Sequence, residues 1–362
     1  MFGQGNRRPR ARWIMTDLRG GCETMGETLN ELDEAPEVSV IIPAYSAAAY
    51  IQRALESVRA QTFNRLETIV INDGSPDTAQ LECVLDQSPV GVRYLKQVNK
   101  GPGAARNAGI GMARGRFLAF LDADDYWAPN YLAEQLAVFQ SDPDVDLVYA
   151  DALLTENPLL AGKTFMALTP SQGSVDFEGL VTARCTVILS GTVVRKQSAI
   201  DAGLFDERLS HSEDYDLWLR MAKAGARMVY RKKLLLFRRE LPSSLCGNPI
   251  KLRRCQVRVF LKLLRGQALT GGEKALVEKQ LQRTQAGIKL EQARQCFAKG
   301  QFARAERALR AANRVLRSRK LGLVMLWLRC APRLLLGIHK YRERRLLDPD
   351  RFLWRVRRSL AE

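Results

Sequence analysis

Acidic side chains stand at the ends of two apolar runs in the first half of the chain. Asp73 follows one run, and Asp122, Asp124 and Asp125 follow another. Carboxylate oxygens are hard ligands that suit Mg²⁺ or Mn²⁺, and these ions take one or two protein carboxylates together with substrate phosphates. The residue types therefore predict a divalent cation, Mn²⁺ or Mg²⁺, beside a phosphate-bearing substrate.

A glycine-rich segment lies between these acids in the sequence. Gly101, Gly103 and Gly109 surround Arg106 and Asn107 where a helix is predicted to begin. Small residues permit close approach of the backbone, and a guanidinium suits a phosphate or the edge of a base. The segment therefore predicts a site for a phosphate-bearing donor.

The elements that must position these residues are short apolar runs alternating with helical patterns. The runs predict strands at residues 38–43, 68–71, 92–95, 117–121, 147–149, 187–194, 229–230 and 234–237, and helices behind a Ser46 cap and at residues 78–87, 103–113, 129–140 and 196–202. Short buried strands alternating with helices are typical of a mostly parallel sheet covered on both faces. Such sheets bind ligands beyond the carboxyl ends of their strands, where these acids are expected.

Five segments carry the polar residues, in a fixed order along the chain: 38–45, 71–75, 101–109, 120–125 and 213–220. Together they resemble the motifs of family 2 glycosyltransferases, which have the GT-A fold. The resemblance implies an α/β nucleotide-diphospho-sugar transferase domain at residues 37–240, with a mostly parallel sheet flanked by helices and an α-helical C-terminal extension.

The resemblance assigns four residues to a nucleotide-sugar donor. It implies that Pro43 and Tyr45 border the base, with the Tyr45 ring stacked on it, and that Asp73 accepts from the base imide. Arg106 is expected beside the base or the diphosphate. The next position after Tyr45 is often Asn in the family and is Ser46 here, a small departure. By resemblance, the donor is a UDP-sugar.

The resemblance also assigns the metal ligands and the catalytic base. The D-x-D element of the family falls on Asp122 to Asp124: Asp122 reaches the ribose or the metal, and Asp124 binds the metal. Asp125 adds a carboxylate of open role. Asp214 matches the base that takes the proton of the acceptor hydroxyl, so transfer inverts the anomeric centre.

The motif of processive synthases is absent, which favours a single addition. The expected acceptor is a saccharide or a lipid-linked saccharide in cell-envelope polysaccharide or glycolipid synthesis. Taken singly, each motif also has a structural explanation. Asp73 with Gly74 is typical of a turn, Asp124 with Asp125 of a helix start, and Arg106 of a solvated helix surface.

Composition limits the remaining classes. Hydrophobic residues make up 46% and charged residues 26%, which excludes wholesale disorder and a polytopic membrane protein. The seven cysteines are scattered without a C-x-x-C pair, so a reducing cytoplasm is predicted in place of a disulfide framework or zinc site. Residues 1–36 show no periodicity and are interpreted as a flexible leader.

The positive charge is concentrated in the last third. Residues 241–362 hold 29 Lys and Arg against 8 Asp and Glu, whereas the net charge of the whole chain is +17. Residues 293–312 resemble a single tetratricopeptide-like hairpin, and residues 351–360 predict a helix with one basic and one apolar side. Two interpretations stay open: peripheral attachment to the anionic inner face of the cell membrane, or helices that pack on the catalytic domain with solvated arginines.

Two other functions compete with glycosyl transfer. The basic third is compatible with nucleic-acid binding, but aromatic residues are sparse among the basic ones and no DNA or RNA module is recognisable, which argues against a nucleic-acid partner. A sugar nucleotidyltransferase would also use paired aspartates and a metal. The glycine-rich, lysine-containing N-terminal loop of those enzymes is missing.

Overall fold

The computed structural model describes residues 14–15, 35–157, 160, 162–169, 171–240, 248–266, 268–334 and 336–337. These residues fall into two compact units. The first contains the described residues up to Leu153 with Thr164–Asp176 and Thr186–Arg238, and the second contains those of Leu154–Lys163, Phe177–Cys185 and the chain from Arg239 onward. The predicted domain bounds at residues 1–36, 37–240 and 241–362 stay predictions.

Nine strands of the described chain form one sheet. They are β1 (Ile14–Met15), β2 (Val38–Ala44), β3 (Leu66–Asp73), β4 (Val92–Gln97), β5 (Phe117–Phe120), β6 (Tyr126–Trp127), β7 (Val145–Thr155), β8 (Thr192–Arg195) and β9 (Arg227–Arg239). Their order across the sheet is β1-β4-β3-β2-β5-β8-β7-β9-β6. The first five in this order pair in parallel, whereas β8 runs antiparallel to both β5 and β7, and β6 antiparallel to β9. The predicted α/β class with a mostly parallel sheet is confirmed.

Eight helices precede the C-terminal region. They are α1 (Ile51–Arg59), α2 (Thr78–Gln87), α3 (Pro102–Met112), α4 (Tyr131–Ser141), α5 (Phe165–Leu168), α6 (Phe177–Val181), α7 (Lys196–Asp201) and α8 (Glu213–Lys223). Helix α3 lies close against β2, since a Cβ atom on Gly109 would come within 2.5 Å of Ile41 Cγ2. Strands β2 and β3 are buried over most of their length, as expected for apolar strands covered on both faces.

Several sequence-based bounds are wrong. Residues 187–191 are not strand: a 3₁₀ turn at Leu189–Gly191 precedes β8, because the Thr192 hydroxyl donates to the Ile188 carbonyl and closes the chain into a turn. The two short strands predicted at 229–230 and 234–237 are the single strand β9. Strand β6 was missed because two residues carry no periodicity. The interpretation of residues 1–36 as a leader without strands missed β1, which runs beside β4.

The predicted Ser46 cap is also wrong. The residue before α1 is Tyr50, which makes no side-chain capping bond. Ser46 instead has a left-handed backbone with φ of 52°, and its N–H donates to Ser75 Oγ at 2.7 Å. The turn after β2 is therefore joined to the turn after β3, which places both beyond the same edge of the sheet.

The described residues of the second unit include the helices α9 (Pro249–Gly266), α10 (Gly271–Ala298), α11 (Phe302–Leu316) and α12 (Arg319–Cys330). A reciprocal capping box begins α10, in which Thr270 Oγ1 accepts from the Glu273 N–H and Glu273 accepts from the Thr270 N–H. Helices α10 and α11 bury small side chains, Ala293 of α10 and Ala305 of α11 among them. The hairpin predicted around residues 293–312 is present as the α10–α11 pair.

In the described part of the chain, every helix is too short or too polar to cross a bilayer. The amphipathic helix predicted at residues 351–360 lies outside the described residues.

Candidate active site

The acids after β5 form a turn at the carboxyl edge of the parallel strands. The Asp125 N–H donates to the Asp122 carbonyl at 3.0 Å, and the Asp122 N–H donates to Ser190 Oγ at 3.2 Å. Leu121 continues the contact with β2 through a hydrogen bond to Ile41. Because the turn is held on both sides, the three carboxylates are confined to a short stretch of backbone beside β2.

Arg106 joins this turn to helix α8. Its side chain is 6% exposed, with Nη2 lying 2.8 Å from Asp122 Oδ1 and Nη1 lying 2.6 Å from Glu213 Oε1. Glu213 is equally buried, at 7%, whereas Asp122 is 39% exposed. The guanidinium therefore binds carboxylates from two segments that are far apart in sequence. The alternative of a solvated surface arginine is wrong.

The charges of this triad set the state of Arg106. Burial lowers the pKa of the guanidinium, but the negative charges of Asp122 and Glu213 outweigh burial and raise it, so Arg106 is a permanent cation. The Phe205 ring lies 5.7 Å from the guanidinium carbon. A buried cation that bridges two acidic side chains is a rigid link, since separating either pair would leave a charge without compensation.

Asp214 lies in the first turn of α8, directly after Glu213. Its Oδ1 accepts from the Tyr215 N–H at 2.7 Å. Burial, followed by the charge of Glu213, raises the pKa of Asp214 to about 6, against the lowering effects of that hydrogen bond and of Arg106. A carboxylate with a pKa near neutrality is suited to accept a proton, because it is ionised at pH 7 yet more basic than an ordinary aspartate.

Asp125 and Asp124 complete the acidic cluster. Asp125 is 4% exposed, and burial together with the charges of Asp124 and Asp122 raises its pKa well above the ordinary value. Asp124 is half-buried. The structure thus gathers three acids into one turn with more negative charge than Arg106 and Arg238 offset.

The acidic side chains of this turn are candidate ligands for a divalent cation. No group of three or more His, Cys, Asp and Glu in the described residues is arranged to hold a metal ion. Mg²⁺ and Mn²⁺ in nucleotide sites use only one or two carboxylates, and substrate phosphates and water supply the rest. Asp122 and Asp124 fit that smaller demand, because the negative charge that each places beside Asp125 is what a divalent cation would offset.

Asp73 is buried and shapes the loop after β4. Its Oδ1 accepts from Gln97 Nε2 at 2.7 Å and from the Lys100 N–H at 2.8 Å, and its Oδ2 accepts from the Gly101 N–H at 2.8 Å. Gly74 follows with φ of 64°. Asp73 thus ends β3 and begins a turn, as its sequence pattern with Gly74 predicts. Contact with a base stays a prediction.

Pro43 and Tyr45 lie at the end of β2 and just after it. Pro43 is opposite Ile71 of β3 in the sheet register. Tyr45 is 55% exposed, so a face of its ring is open to a planar ligand. Pro43, Tyr45, Asp73, Asp122 and Asp124 therefore all follow or end the parallel strands β2, β3 and β5, and Arg106 links that edge to Asp214.

Three contributors to this arrangement were not recognised from the sequence. Glu213 has no role of its own within the 213–220 segment, Ser190 falls inside a predicted strand, and Asn107 has no assigned role. Asn107 binds the Phe205 backbone twice, donating to its carbonyl at 2.9 Å and accepting from its N–H at 3.0 Å. The sequence around these three residues does not indicate their contacts, because each partner is distant along the chain.

Proteins with similar sequences are named as glycosyltransferases. Residues 39–153 match the family model described as glycosyl transferase family 2. An uncharacterized glycosyltransferase of Rickettsia prowazekii is 30% identical over 199 residues, which is 53% of this chain and 60% of the relative. The hyaluronan synthase of Pasteurella multocida is 30% identical over 197 residues, 54% of this chain and 20% of the relative. The chain spans less than two thirds of the length of the curated relatives it matches.

Solved structures share the fold at low sequence identity. TarS of S. aureus, residues 1–349 in complex with UDP, aligns with a TM-score of 0.56 and 18% identity over 81% of this chain and 87% of that one. The mannosyltransferase PcManGT of Pyrobaculum calidifontis, in complex with GDP-Man and Mn²⁺, aligns with a TM-score of 0.55 and 18% identity, covering 85% of each chain. The first unit thus has the GT-A fold, and residues 39–153 are similar to glycosyl transferase family 2.

Proposed function

We propose that this chain is an inverting glycosyltransferase that moves one sugar from a nucleotide-sugar donor, a UDP-sugar, to a saccharide or lipid-linked saccharide acceptor. The observation that carries the proposal is the link through Arg106 between the acids after β5 and the first turn of α8. It holds donor-side carboxylates and a candidate base in one neighbourhood. TarS binds UDP and UDP-GlcNAc, and PcManGT binds GDP-Man and Mn²⁺, which supports a nucleotide-sugar donor.

In the proposed reaction, each of these residues has a separate role. Tyr45 stacks on the base, with Pro43 and Asp73 beside it. Asp214 takes the proton from the acceptor hydroxyl as that oxygen attacks the anomeric carbon. The bond between that carbon and the diphosphate oxygen breaks, and the nucleoside diphosphate leaves with the electron pair. Attack from the face opposite the leaving group inverts the centre.

Asp124, with Asp122, would hold a divalent cation, Mn²⁺ or Mg²⁺. When bound, such an ion supplies positive charge against the developing charge of the leaving diphosphate. Arg106 fixes the direction of the Asp122 carboxylate through their ion pair. Its two ion pairs make it a positioning residue in this proposal, whereas the sequence-based expectation placed it beside the base or the diphosphate.

The compartment and pathway are part of the proposal. No disulfide joins the cysteines of the described residues, which suits a reducing cytoplasm; they are Cys83, Cys185, Cys255, Cys296 and Cys330. A lipid-linked acceptor would place the enzyme in cell-envelope polysaccharide or glycolipid synthesis. Neither a nucleic-acid role nor nucleotidyl transfer gains support from a specific contact of the described residues.

Replacement of Asp124 by alanine tests the donor site. We expect the variant to lose Mn²⁺-stimulated release of nucleoside diphosphate by at least about 100-fold and to lose the rise in melting temperature that UDP with Mn²⁺ gives the parent. Asp144→Ala is the matched control, since Asp144 is an exposed loop aspartate of the same unit. Undiminished Mn²⁺ stimulation in Asp124→Ala would contradict the assignment.

The pH profile tests the base. Asp214 must be ionised to accept a proton, and the groups around it are Glu213, Arg106 and Asp122. We expect kcat/KM to rise about tenfold per pH unit on the acid side, to bend near pH 6 and to be level above it. Steady-state rates at saturating Mn²⁺ measure this limb. A bend near pH 4 would assign proton transfer to an ordinary carboxylate and would count against Asp214.

A further inference from the structure

Helix α12 carries large apolar side chains on its solvent side. Leu323, Leu326 and Trp327 are 60%, 56% and 52% exposed, and neighbouring Val324 is 40% exposed. Spacings of three and four residues put the first three on one side of the helix. Leu328, on the other side, is 3% exposed. The four exposed residues are named the apolar stripe below.

The stripe is a cluster and not a chance scatter. Of the eleven exposed large apolar side chains among the described residues, five lie between Leu323 and Leu334. Single exposed apolar residues are normal on protein surfaces and need no partner, but contiguous ones mark an interaction surface. An occupant for the stripe is therefore expected.

The charge around the stripe is mostly positive. Residues 307–337 contain eight Lys and Arg and no Asp or Glu. Arg319 and Lys320 are exposed at the start of α12, and Arg329 and Arg333 are exposed at and beyond its end. Arg329 pairs with Glu306 of α11, so that end retains a partly neutralised charge. Cations thus flank the apolar stripe on both ends.

The apolar stripe and its flanking cations together favour one of three possible binding partners. A nucleic acid offers phosphates but no apolar layer to cover Leu323 and Leu326. A second copy of this chain would bring the same positive charge against these cations, and that repulsion opposes association. An anionic bilayer offers both partners at the right depth, because its phosphates lie just above the boundary of the acyl chains.

We propose that α12 docks on an anionic lipid bilayer, with the apolar stripe inserted at the boundary between headgroups and acyl chains. Trp327 suits that depth, since its ring is amphipathic. Arg319, Lys320 and Arg333 bind the headgroups. The proposal is independent of glycosyl transfer, and it moves the predicted membrane contact from residues 351–360 to a helix of the described chain.

Flotation of the full chain tests the proposal. The probes are vesicles of phosphatidylcholine mixed with phosphatidylglycerol and vesicles of phosphatidylcholine alone, at low and high salt. We expect binding to the mixed vesicles at low salt, at least about tenfold weaker binding without the anionic lipid, and loss of binding as salt rises. Failure of the full chain to float with the mixed vesicles at low salt would overturn the proposal.

The double variant Leu326→Glu with Trp327→Glu tests the stripe itself. Both side chains are exposed, so the fold should persist, and its helical circular dichroism is the check. We expect at least about tenfold weaker vesicle binding, because two apolar anchors become anions. Val98→Glu is the control, since Val98 is 79% exposed in the other unit. Equal binding by the double variant, or a change of its oligomeric state in place of vesicle binding, would refute docking through the stripe.

Charge reversal separates lipid from nucleic acid. Arg319→Glu with Lys320→Glu should weaken binding to mixed vesicles by about tenfold or more, and Lys232→Glu, at an exposed lysine of β9, should not. An oligonucleotide is the competing probe. If it binds the full chain, the charge-reversal variant loses that binding and vesicles do not bind the full chain, α12 serves a nucleic acid and the lipid proposal fails.

Discussion

Asp214→Asn is expected to lower kcat by about 10²- to 10⁴-fold while leaving the fold intact. Asparagine keeps the shape of the side chain but cannot take the proton of the acceptor hydroxyl. The binding of UDP with Mn²⁺ should persist, because Asp214 lies on α8 and the donor residues follow the strands. Single-turnover release of nucleoside diphosphate and thermal shift with UDP measure the two effects separately.

The same variant should be as stable as the parent or more stable at pH 7.5. The pKa of Asp214 is raised from its ordinary value to about 6, so the folded state binds the proton more tightly than the unfolded state. The resulting stability is present at low pH and is lost as the pH rises through 6. Removing the charge should recover on the order of 1–3 kcal/mol at neutral pH.

Asp216→Asn is the matched control on the same helix. Asp216 is fully buried and pairs with Arg220 at 2.8 Å, and Arg220 also donates to the Leu204 carbonyl. This variant should lose stability and keep kcat in the folded fraction, the reverse of Asp214→Asn. If Asp214→Asn retained more than about a tenth of the parent rate, the base would have to be another group.

Arg106→Met is expected to destabilise the first unit by about 3–5 kcal/mol. Methionine fills much of the volume but leaves Glu213 buried without its cation, and an unpaired buried charge is costly. Activity should fall as well, since Asp122 and the first turn of α8 lose their common partner. Urea unfolding followed by circular dichroism measures the stability, with the denaturant slope checked for two-state behaviour.

Two further variants test whether the loss of stability in Arg106→Met comes from the buried ion pairs. Arg106→Met combined with Glu213→Gln removes the cation and the buried anion together, and we expect it to recover part of the lost stability but not the activity. Arg208→Met breaks the pair with Asp206, in which the Arg208 side chain is 86% exposed, and should leave the stability nearly unchanged. A stability of Arg106→Met equal to that of the parent would show that the triad is not a structural link.

The order of the strands explains why sequence reasoning brought these acids to one edge of the sheet. Asp73 ends β3 and Asp122 to Asp124 follow β5, and the carboxyl ends of parallel strands meet at one edge by geometry. Their shared position was therefore predictable without knowledge of any contact, whereas their roles toward a donor stay predictions. The position of Tyr45 at this edge was predictable for the same reason, because Tyr45 follows β2. Its ring is exposed.

The partners of Arg106 were beyond such reasoning. A guanidinium in a glycine-rich segment has the same local pattern whether it contacts a phosphate, water or a buried carboxylate. The choice depends on Glu213, 107 positions away along the chain, and on the packing that brings α8 against α3. Likewise Asn107 holds the Phe205 backbone, a contact without any sequence periodicity.

The sequence by itself determined the class of the sheet, the position of its parallel strands along the chain and the acids at their ends. Strands that are buried on both faces need continuous apolar runs, and such runs can be located directly in the sequence. Only the tertiary structure decided which charges neutralise one another, which carboxyl keeps a raised pKa and which apolar residues of α12 stay exposed. These properties depend on distances and on exclusion of water between distant segments, and they exist only once the chain has packed.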